Sequence, residues 1–225
     1  MADKAIIVIG AGAALGGAIA RRFAREGYAA VIVRRRADQL EPLAAAIREA
    51  GGEAYPFGVD ARQEDQMVAL FAKVEAEIAP VDVCVFNIGA NVRFPIAETT
   101  SRVFSKVWEM ACFSGFLAGR EAAKVMTPRA RGTVIFTGAT ASLRGGVGFA
   151  AFASAKAGLR AVAQSMGREL GPKGVHVVHT IIDGAIDTAW TAWILWKRRS
   201  QRRGLETLGA YPHLGCKGRS MEMRA

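Results

Sequence analysis

The stretch AAFASAKAGLRA, Ala150 to Ala161, reads as a helix that carries an active-site lysine, Lys156. Residues four apart on a helix share a face, so Phe152 stands one turn earlier on the same side as the lysine. A residue at that place shares the lysine's surroundings, and a phenyl ring there has no proton to give. A second chemical stretch lies near the start, where KAIIVIG runs into GAGAALGG and sets Gly10, Gly12, Ala14, Leu15 and Gly16 ahead of an amphipathic segment. A buried strand, a glycine turn and a helix N-terminus in that order suit a pyrophosphate. Glycines let the backbone come close, and the free N–H groups and helix dipole favour negative charge. The next apolar run ends in Arg34, Arg35 and Arg36. An acidic residue at that place would accept the ribose hydroxyls of an adenosine and repel a 2′-phosphate. Guanidinium groups pair with that phosphate instead. The pattern therefore points to NADP in preference to NAD.

The remaining reactive side chains add less. His176 and His179 are oddly spaced on a predicted strand and so face opposite ways, which suits structural histidines better than a catalytic pair. There is no HExxH and no clustered ligand set, so no metal is expected. Cys84, Cys112 and Cys216 are odd in number and widely spaced, which fits neither a disulfide framework nor a zinc site.

These residues need elements to position them, and the hydropathy pattern supplies alternating ones. Lys4–Gly10, Tyr28–Val33, the run EAYPFGVD, Val81–Asn87, Gly132–Gly138 and GVHVVHTII read as six strands. Between them lie helical patterns, of which LGGAIARRFAREG is typical, with Leu15, Ile19 and Phe23 at helical spacing and Gly27 closing it. Strands alternating with helices imply an α/β fold: a doubly wound parallel sheet of Rossmann type, three layers deep, with right-handed crossovers. The chain of 225 residues suffices for one such domain, and residues 1–189 are assigned to it.

Composition narrows the setting. Half of the residues are hydrophobic, which fits a packed domain and not a disordered chain. No apolar run approaches the ~20 residues of a membrane span, and the start of the chain does not read as a signal peptide. A cytoplasmic protein is expected. The net charge of +10 suggests a polyanion partner, but its placement argues otherwise. Residues 190–225 hold eight Lys/Arg against Glu206 and Glu222, a local charge of +6, leaving an ordinary +4 for the rest. The basicity belongs to one segment, and nucleic acid is not the expected partner of the domain.

With the motifs in order, the sequence resembles the short-chain dehydrogenase/reductase superfamily over residues 4–189. The resemblance rests on GAGAALG, Asp60 after the third strand, Asn87–Ala90 (NIGA) after the fourth, FASAK on the long helix and Gly184–Thr188 (GAIDT) after the sixth. It implies hydride transfer between a nicotinamide and a small carbonyl or alcohol. It also implies a homo-oligomer, dimer or tetramer. Gly10, Ala14 and Gly16 fall at the family's three glycine positions, the middle one being alanine here. Asp60 would face the adenine amine, or else cap a helix. Asn87 and Gly89 would lie along the cofactor, Lys156 would hold the nicotinamide ribose, and Thr188 with the backbone at Ile186 would hold the carboxamide.

The family's other catalytic positions are altered. The tyrosine is Phe152, and the serine position falls on Ala139, with Thr140 and Ser142 as hydroxyl neighbours. The asparagine position falls on Cys112, in a register that could slip by one. The usual Pro-Gly after the sixth strand reads Asp183-Gly184. Three readings stay open: a reductase whose acid has moved to Thr140, Ser142, Cys112, Asp183 or water; a cofactor-binding pseudoenzyme or partner subunit; and an anionic-surface binder acting through the basic tail. That tail, residues 190–225, sets Trp190, Trp193 and Trp196 before KRRSQRR and shows no strand pattern in its last twenty residues. Its abrupt change of composition is also what a frame change in the coding sequence would produce.

Overall fold

The computed structural model describes residues 2–184 and residue 186. They form one compact unit, Met1–Ile186. Six strands make a single parallel sheet: β1 (Ala5–Ile9), β2 (Ala29–Arg34), β3 (Ala54–Gly58), β4 (Val81–Phe86), β5 (Gly132–Ala139) and β6 (Val175–Ile182). Their order is β3-β2-β1-β4-β5-β6. The helices between them are α1 (Leu15–Arg25), α2 (Glu41–Glu49), α3 (Glu64–Glu77), α4 (Ser101–Trp108), α5 (Ser114–Met126) and α6 (Ala150–Leu170). Between α4 and α5 lies a single π-helical turn, Glu109–Phe113.

Right-handed crossovers explain the layers. The chain steps from β1 to β2 to β3 in one direction, then crosses back to β4 and continues to β6. A crossover that keeps its hand must change face when its direction reverses. Accordingly, Ile6, Val8, Ala30 and Ile32 pack with α1 and α2 residues such as Ala20, Leu43 and Ile47. Ile7, Ile9, Val31 and Val33 pack on the other face with Phe71 of α3, Leu117 of α5 and Leu159 of α6. Strands covered on both faces must be apolar at every residue, which is why AIIVI is buried throughout. Pro56 sits inside β3, and β3 is an edge strand, where a missing N–H costs no ladder bond.

Two local departures from the sequence pattern have simple causes. The second helical region opens as a 3-10 turn, Ala37–Leu40, and becomes α-helix at Glu41 with Pro42 in its first turn, where proline's missing N–H is harmless. The mainly helical stretch from 100 to 126 is interrupted by the π turn, which inserts a residue and re-aims the side chains on it.

Candidate active site

The reversal of strand order at β1 leaves a crevice beyond the carboxyl ends of β1 and β4, the place where ligands bind in open α/β sheets. The structure has a cleft of about 750 Å³ there, lined by the ends of β1, β2 and β4 and by Val59–Arg62. Gly10 and Gly12 line it; Ala14 and Leu15 open α1 just behind, and Gly16 is buried beneath the turn. Gly10 has φ of +90°, and a Cβ on it would lie 2.9 Å from the Asn87 carbonyl oxygen. A Cβ on Gly16 would come within 2.6 Å of the Gly10 carbonyl oxygen. Only glycine allows this approach of turn, helix and β4. The Asn87 side chain completes the junction, donating to Gly10 O at 3.2 Å. At the start of α1, Ala14 offers no side-chain cap and no acidic residue occupies the first turn. The first N–H groups of an eleven-residue helix are thus left for an anion.

Arg34, Arg35 and Arg36 all reach the wall of this cleft, as do Asp60, Asn87 and Gly89. Arg36 makes a loose, exposed contact with Asp38 at 3.8 Å, which contributes little. Asp60 is held by a residue the sequence reading did not single out. Arg62 donates Nε to Oδ1 at 2.9 Å and Nη2 to Oδ2 at 2.5 Å, and its backbone N–H donates to Oδ1 at 3.1 Å. The Arg62 side chain keeps the Asp60 carboxyl below its ordinary range, outweighing the upward effect of burial, and Arg35 adds a smaller pull. Asp60 does not cap α3, whose N-cap is Gln63. The one clue in the sequence to this pairing is the i,i+2 spacing of acid and arginine in DAR.

Lys156 is 3% exposed. Its ammonium donates to Thr137 O at 2.8 Å and Ile88 O at 3.1 Å, bridging β5 and the residues just after β4. Ile88 lines the cleft, while Lys156 itself lines neither the cleft nor the smaller hollow described below. An ammonium has three N–H groups, and two are used. Burial pushes Lys156 down from the ordinary 10.5 to about 8, with Cys112 pulling weakly the other way. The sign of the effect on stability follows. Between about pH 8 and 10.5 the unfolded chain binds more protons at this residue than the folded one, so stability rises with pH across that window, by up to about 3 kcal/mol. Denaturant midpoints measured from pH 7.5 to 10.5 (roughly the window of this linkage) are expected to climb more in the wild type than in Lys156→Met. Parallel curves would contradict the burial argument.

A second, smaller hollow of about 280 Å³ lies beyond β5 and β6, lined by Asn91, Ala139, Thr140, Ala141, Arg144, Phe149, Phe152 and Gly184 among others. Phe152 is 8% exposed and packs with Ala90, Val107, Ala111, Cys112 and Ala155. The structure thus brings Ala139, Thr140 and Phe152 to one wall. The Thr140 hydroxyl donates to Asp183 Oδ1 at 2.6 Å. Ser142 is buried and spends its proton on Ala139 O at 2.7 Å, within a 3-10 turn. Cys112 lies in the π turn, buried against α6 at Gly158, and burial raises its thiol pKa while the Lys156 charge opposes this. Of the four hydroxyl, thiol and carboxyl groups considered as acids, Thr140 and Asp183 meet at the hollow, while Ser142 and Cys112 are turned into packing.

His176 is exposed, and His179 is half-buried on the other face of β6 with its Nε2 unpartnered. Burial lowers the His179 pKa, and the charges of Lys156 and Arg160 lower it further. Among the described residues no group of His, Cys, Asp and Glu could hold a metal, and no helix is long and apolar enough to cross a membrane. Ile186 is exposed beyond β6. Thr188, the three tail tryptophans and the basic run lie outside the described residues.

The family model for short chain dehydrogenases matches residues 4–197. The chain belongs to the short-chain dehydrogenase family. Similar solved structures include a short-chain dehydrogenase from Rhodopseudomonas palustris, 53% identical, with a TM-score of 0.79 over 88% of this chain and 92% of that one. A metagenomic short-chain oxidoreductase in complex with NADP is 25% identical, with a TM-score of 0.75 over 82% of this chain and 83% of that one. Among curated relatives, a 2-dehydro-3-deoxy-D-gluconate 5-dehydrogenase from Pseudoalteromonas atlantica is 30% identical over 69% of this chain, and the match spans 60% of that relative's length. The Rossmann-type sheet and the nucleotide cleft are therefore family features, and this is an oxidoreductase family. The phenyl ring of Phe152 stands on the wall of the smaller hollow.

Proposed function

We propose that this short-chain dehydrogenase is an NADP-dependent oxidoreductase acting on a small carbonyl or alcohol. The observation that carries the reading is the cleft at the β1/β4 reversal. It has a glycine cradle with no room for a Cβ at Gly10 or Gly16, an uncapped helix start and three arginines on its wall, and one of its lining residues, Ile88, holds the buried Lys156 ammonium through its carbonyl. These residues fit a phosphorylated dinucleotide. Gly10, Gly12, Ala14, Leu15 and Gly16 would take the pyrophosphate, and Arg34, Arg35 and Arg36 the 2′-phosphate. Asn87 and Gly89 would flank the bound molecule, and Lys156 would hold its inner ribose. When bound, the cofactor supplies or accepts the hydride.

The protein must move the matching proton. A carbonyl that receives a hydride becomes an alkoxide and needs one proton to become an alcohol. Phe152 cannot give it. Thr140, on the wall of the hollow and oriented by its hydrogen bond to Asp183, is placed to give its proton to the alkoxide oxygen and to take one back from water. A threonine hydroxyl is a far weaker acid than a phenol activated by a lysine, so turnover is expected to be slow. The test mixes the protein with NADPH and a panel of aldehydes and ketones and follows loss of the reduced nicotinamide absorbance. Consumption that saturates with both components supports the reading. Tight NADPH binding without consumption by any carbonyl would instead support the second reading, a cofactor-binding subunit without turnover. Phe152 favours that alternative, because it keeps the packing of its pocket while removing the hydroxyl. Either reading includes self-association, for which the exposed Phe104, Trp108 and Phe116 on α4 and α5 offer an apolar face.

A further inference from the structure

The smaller hollow, where the proposed reaction places the carbonyl, also carries a mark of what else the substrate holds. Its walls are largely apolar: Ala139, Ala141, Phe149, Phe152 and Ile182 surround the Thr140 hydroxyl. Among the described residues, Arg144 is the one charged residue that lines it. The Arg144 side chain is exposed and has no ion pair or hydrogen bond. Other surface arginines find carboxylates: Arg48 meets Glu41 at 2.8 Å, and Arg131 meets Asp82 at 2.8 Å. Arg144 keeps its five N–H donors open. Its backbone is nevertheless fixed relative to Thr140, because the N–H groups of Leu143 and Arg144 both donate to Thr140 O, at 2.9 and 3.2 Å. Farther along the same loop Phe149 N donates to Gly146 O at 3.0 Å, and Phe94 N donates to Gly148 O at 2.9 Å.

A guanidinium donates two parallel N–H groups to a carboxylate. Apolar walls lower the local dielectric and strengthen such a pair. The opposite charge sits elsewhere: the Asp183 carboxylate takes the Thr140 proton and does not line the hollow. It repels an anion from the Thr140 end, so an anionic group is directed to Arg144. Arg93, with its guanidinium 6.0 Å from the Phe149 ring, adds positive charge nearby without lining the hollow. The volume of about 280 Å³ falls below the ~300–1,000 Å³ of sites for drug-sized ligands, so the molecule is short.

We propose that the substrate is a short oxo acid, with its carboxylate on Arg144 and its carbonyl at Thr140. This deepens the reading above and rests on it for the place of the carbonyl.

Calorimetric titration of the NADP⁺-saturated chain reads binding without turnover, because the oxidised cofactor cannot reduce a ketone. The probes are acetoacetate and levulinate, each set against its neutral amide. The wild type is expected to bind at least one acid about tenfold or more tightly than its amide, the worth of a charge-assisted hydrogen bond. Arg144→Ala is expected to remove that preference and leave the amide unchanged, which shows that the hollow is intact. Arg144→Lys is expected to keep part of it, since lysine brings charge without the fork. Acid and amide bound alike, binding of neither, a preference that survives in Arg144→Ala, or loss of acid and amide together in that variant would each overturn the proposal. A chain that binds NADPH and shows the Arg144-dependent preference but reduces nothing would overturn the oxidoreductase reading and leave the Arg144 site standing. A chain that takes up no NADP⁺ would overturn the assignment of the cleft, and the same titration of the bare chain would still read the preference.

Discussion

Phe152→Tyr is expected to raise NADPH-linked carbonyl reduction by roughly 10²–10⁴, the usual worth of a positioned acid. Four features of the site support so large a gain from one oxygen. Phe152 lies on α6 one turn before Lys156, on the wall of the smaller hollow, so a hydroxyl added to the ring edge points along the existing side chain. The Lys156 ammonium is already anchored by Thr137 O and Ile88 O and needs no rearrangement. A buried cation lowers the pKa of a nearby phenol. The ring is 8% exposed and stands at the hollow, not deep in the core, so the new hydroxyl has a route to water or substrate. The measurement is kcat/KM for the best carbonyl found, with NADPH saturating. Thr140→Ala in the wild-type background is the companion variant: it is expected to lower the residual rate by about tenfold or more, in line with loss of a weak proton relay. If Phe152→Tyr leaves turnover unchanged while Thr140→Ala abolishes it, the proton already travels through Thr140 and a phenol adds nothing. If neither variant alters a zero rate and NADPH still binds, the chain is a cofactor-binding subunit.

The double variant Arg34→Ala/Arg35→Ala is expected to weaken NADPH by about 100-fold or more while leaving NADH nearly unchanged. Each charge-assisted hydrogen bond is worth about 1.5–3 kcal/mol, so two removed together give at least that factor. Arg36 is the least promising of the three, being exposed and close to Asp38. Arg34 and Arg35 have no ion pair among the described residues, and Arg35 is close enough to Asp60 to lower its carboxyl pKa. Their charges are therefore open to a 2′-phosphate. Nicotinamide fluorescence during titration reads both cofactors. Equal loss of NADPH and NADH affinity would mean that the variant damages the cleft generally and that the arginines do not choose the phosphorylated form.

The fold was legible because both layers leave marks in the sequence. Buried parallel strands must be apolar at every position, so AIIVI and AAVIV stand out, and the alternation with helical spacing in LGGAIARRFAR fixes the winding. The glycine cradle was legible for a related reason: Gly10 and Gly16 are where no side chain fits. The wall of the smaller hollow was only partly legible. That Phe152 lacks a proton follows from its chemistry alone, but the separation of Thr140 and Asp183 from Ser142 and Cys112 depends on where their protons go in three dimensions. Ser142 closes its own 3-10 turn, and Cys112 is carried inward by a π turn that no periodicity announces. Arg62 escaped notice because an arginine two residues after an aspartate is common on solvated loops. Its pairing appears only in three dimensions, where its backbone N–H, Nε and Nη2 all donate to the Asp60 carboxylate beside the cleft.

The central claim is that the amides at the β1–α1 turn and the arginines after β2 hold a 2′-phosphorylated dinucleotide. A direct titration of the wild-type chain with NADPH and with NADH, at fixed ionic strength, decides it. NADPH is expected to bind at least about tenfold more tightly, and to lose more affinity than NADH as salt is raised. Binding of neither, or equal binding of both at every salt concentration, would contradict it.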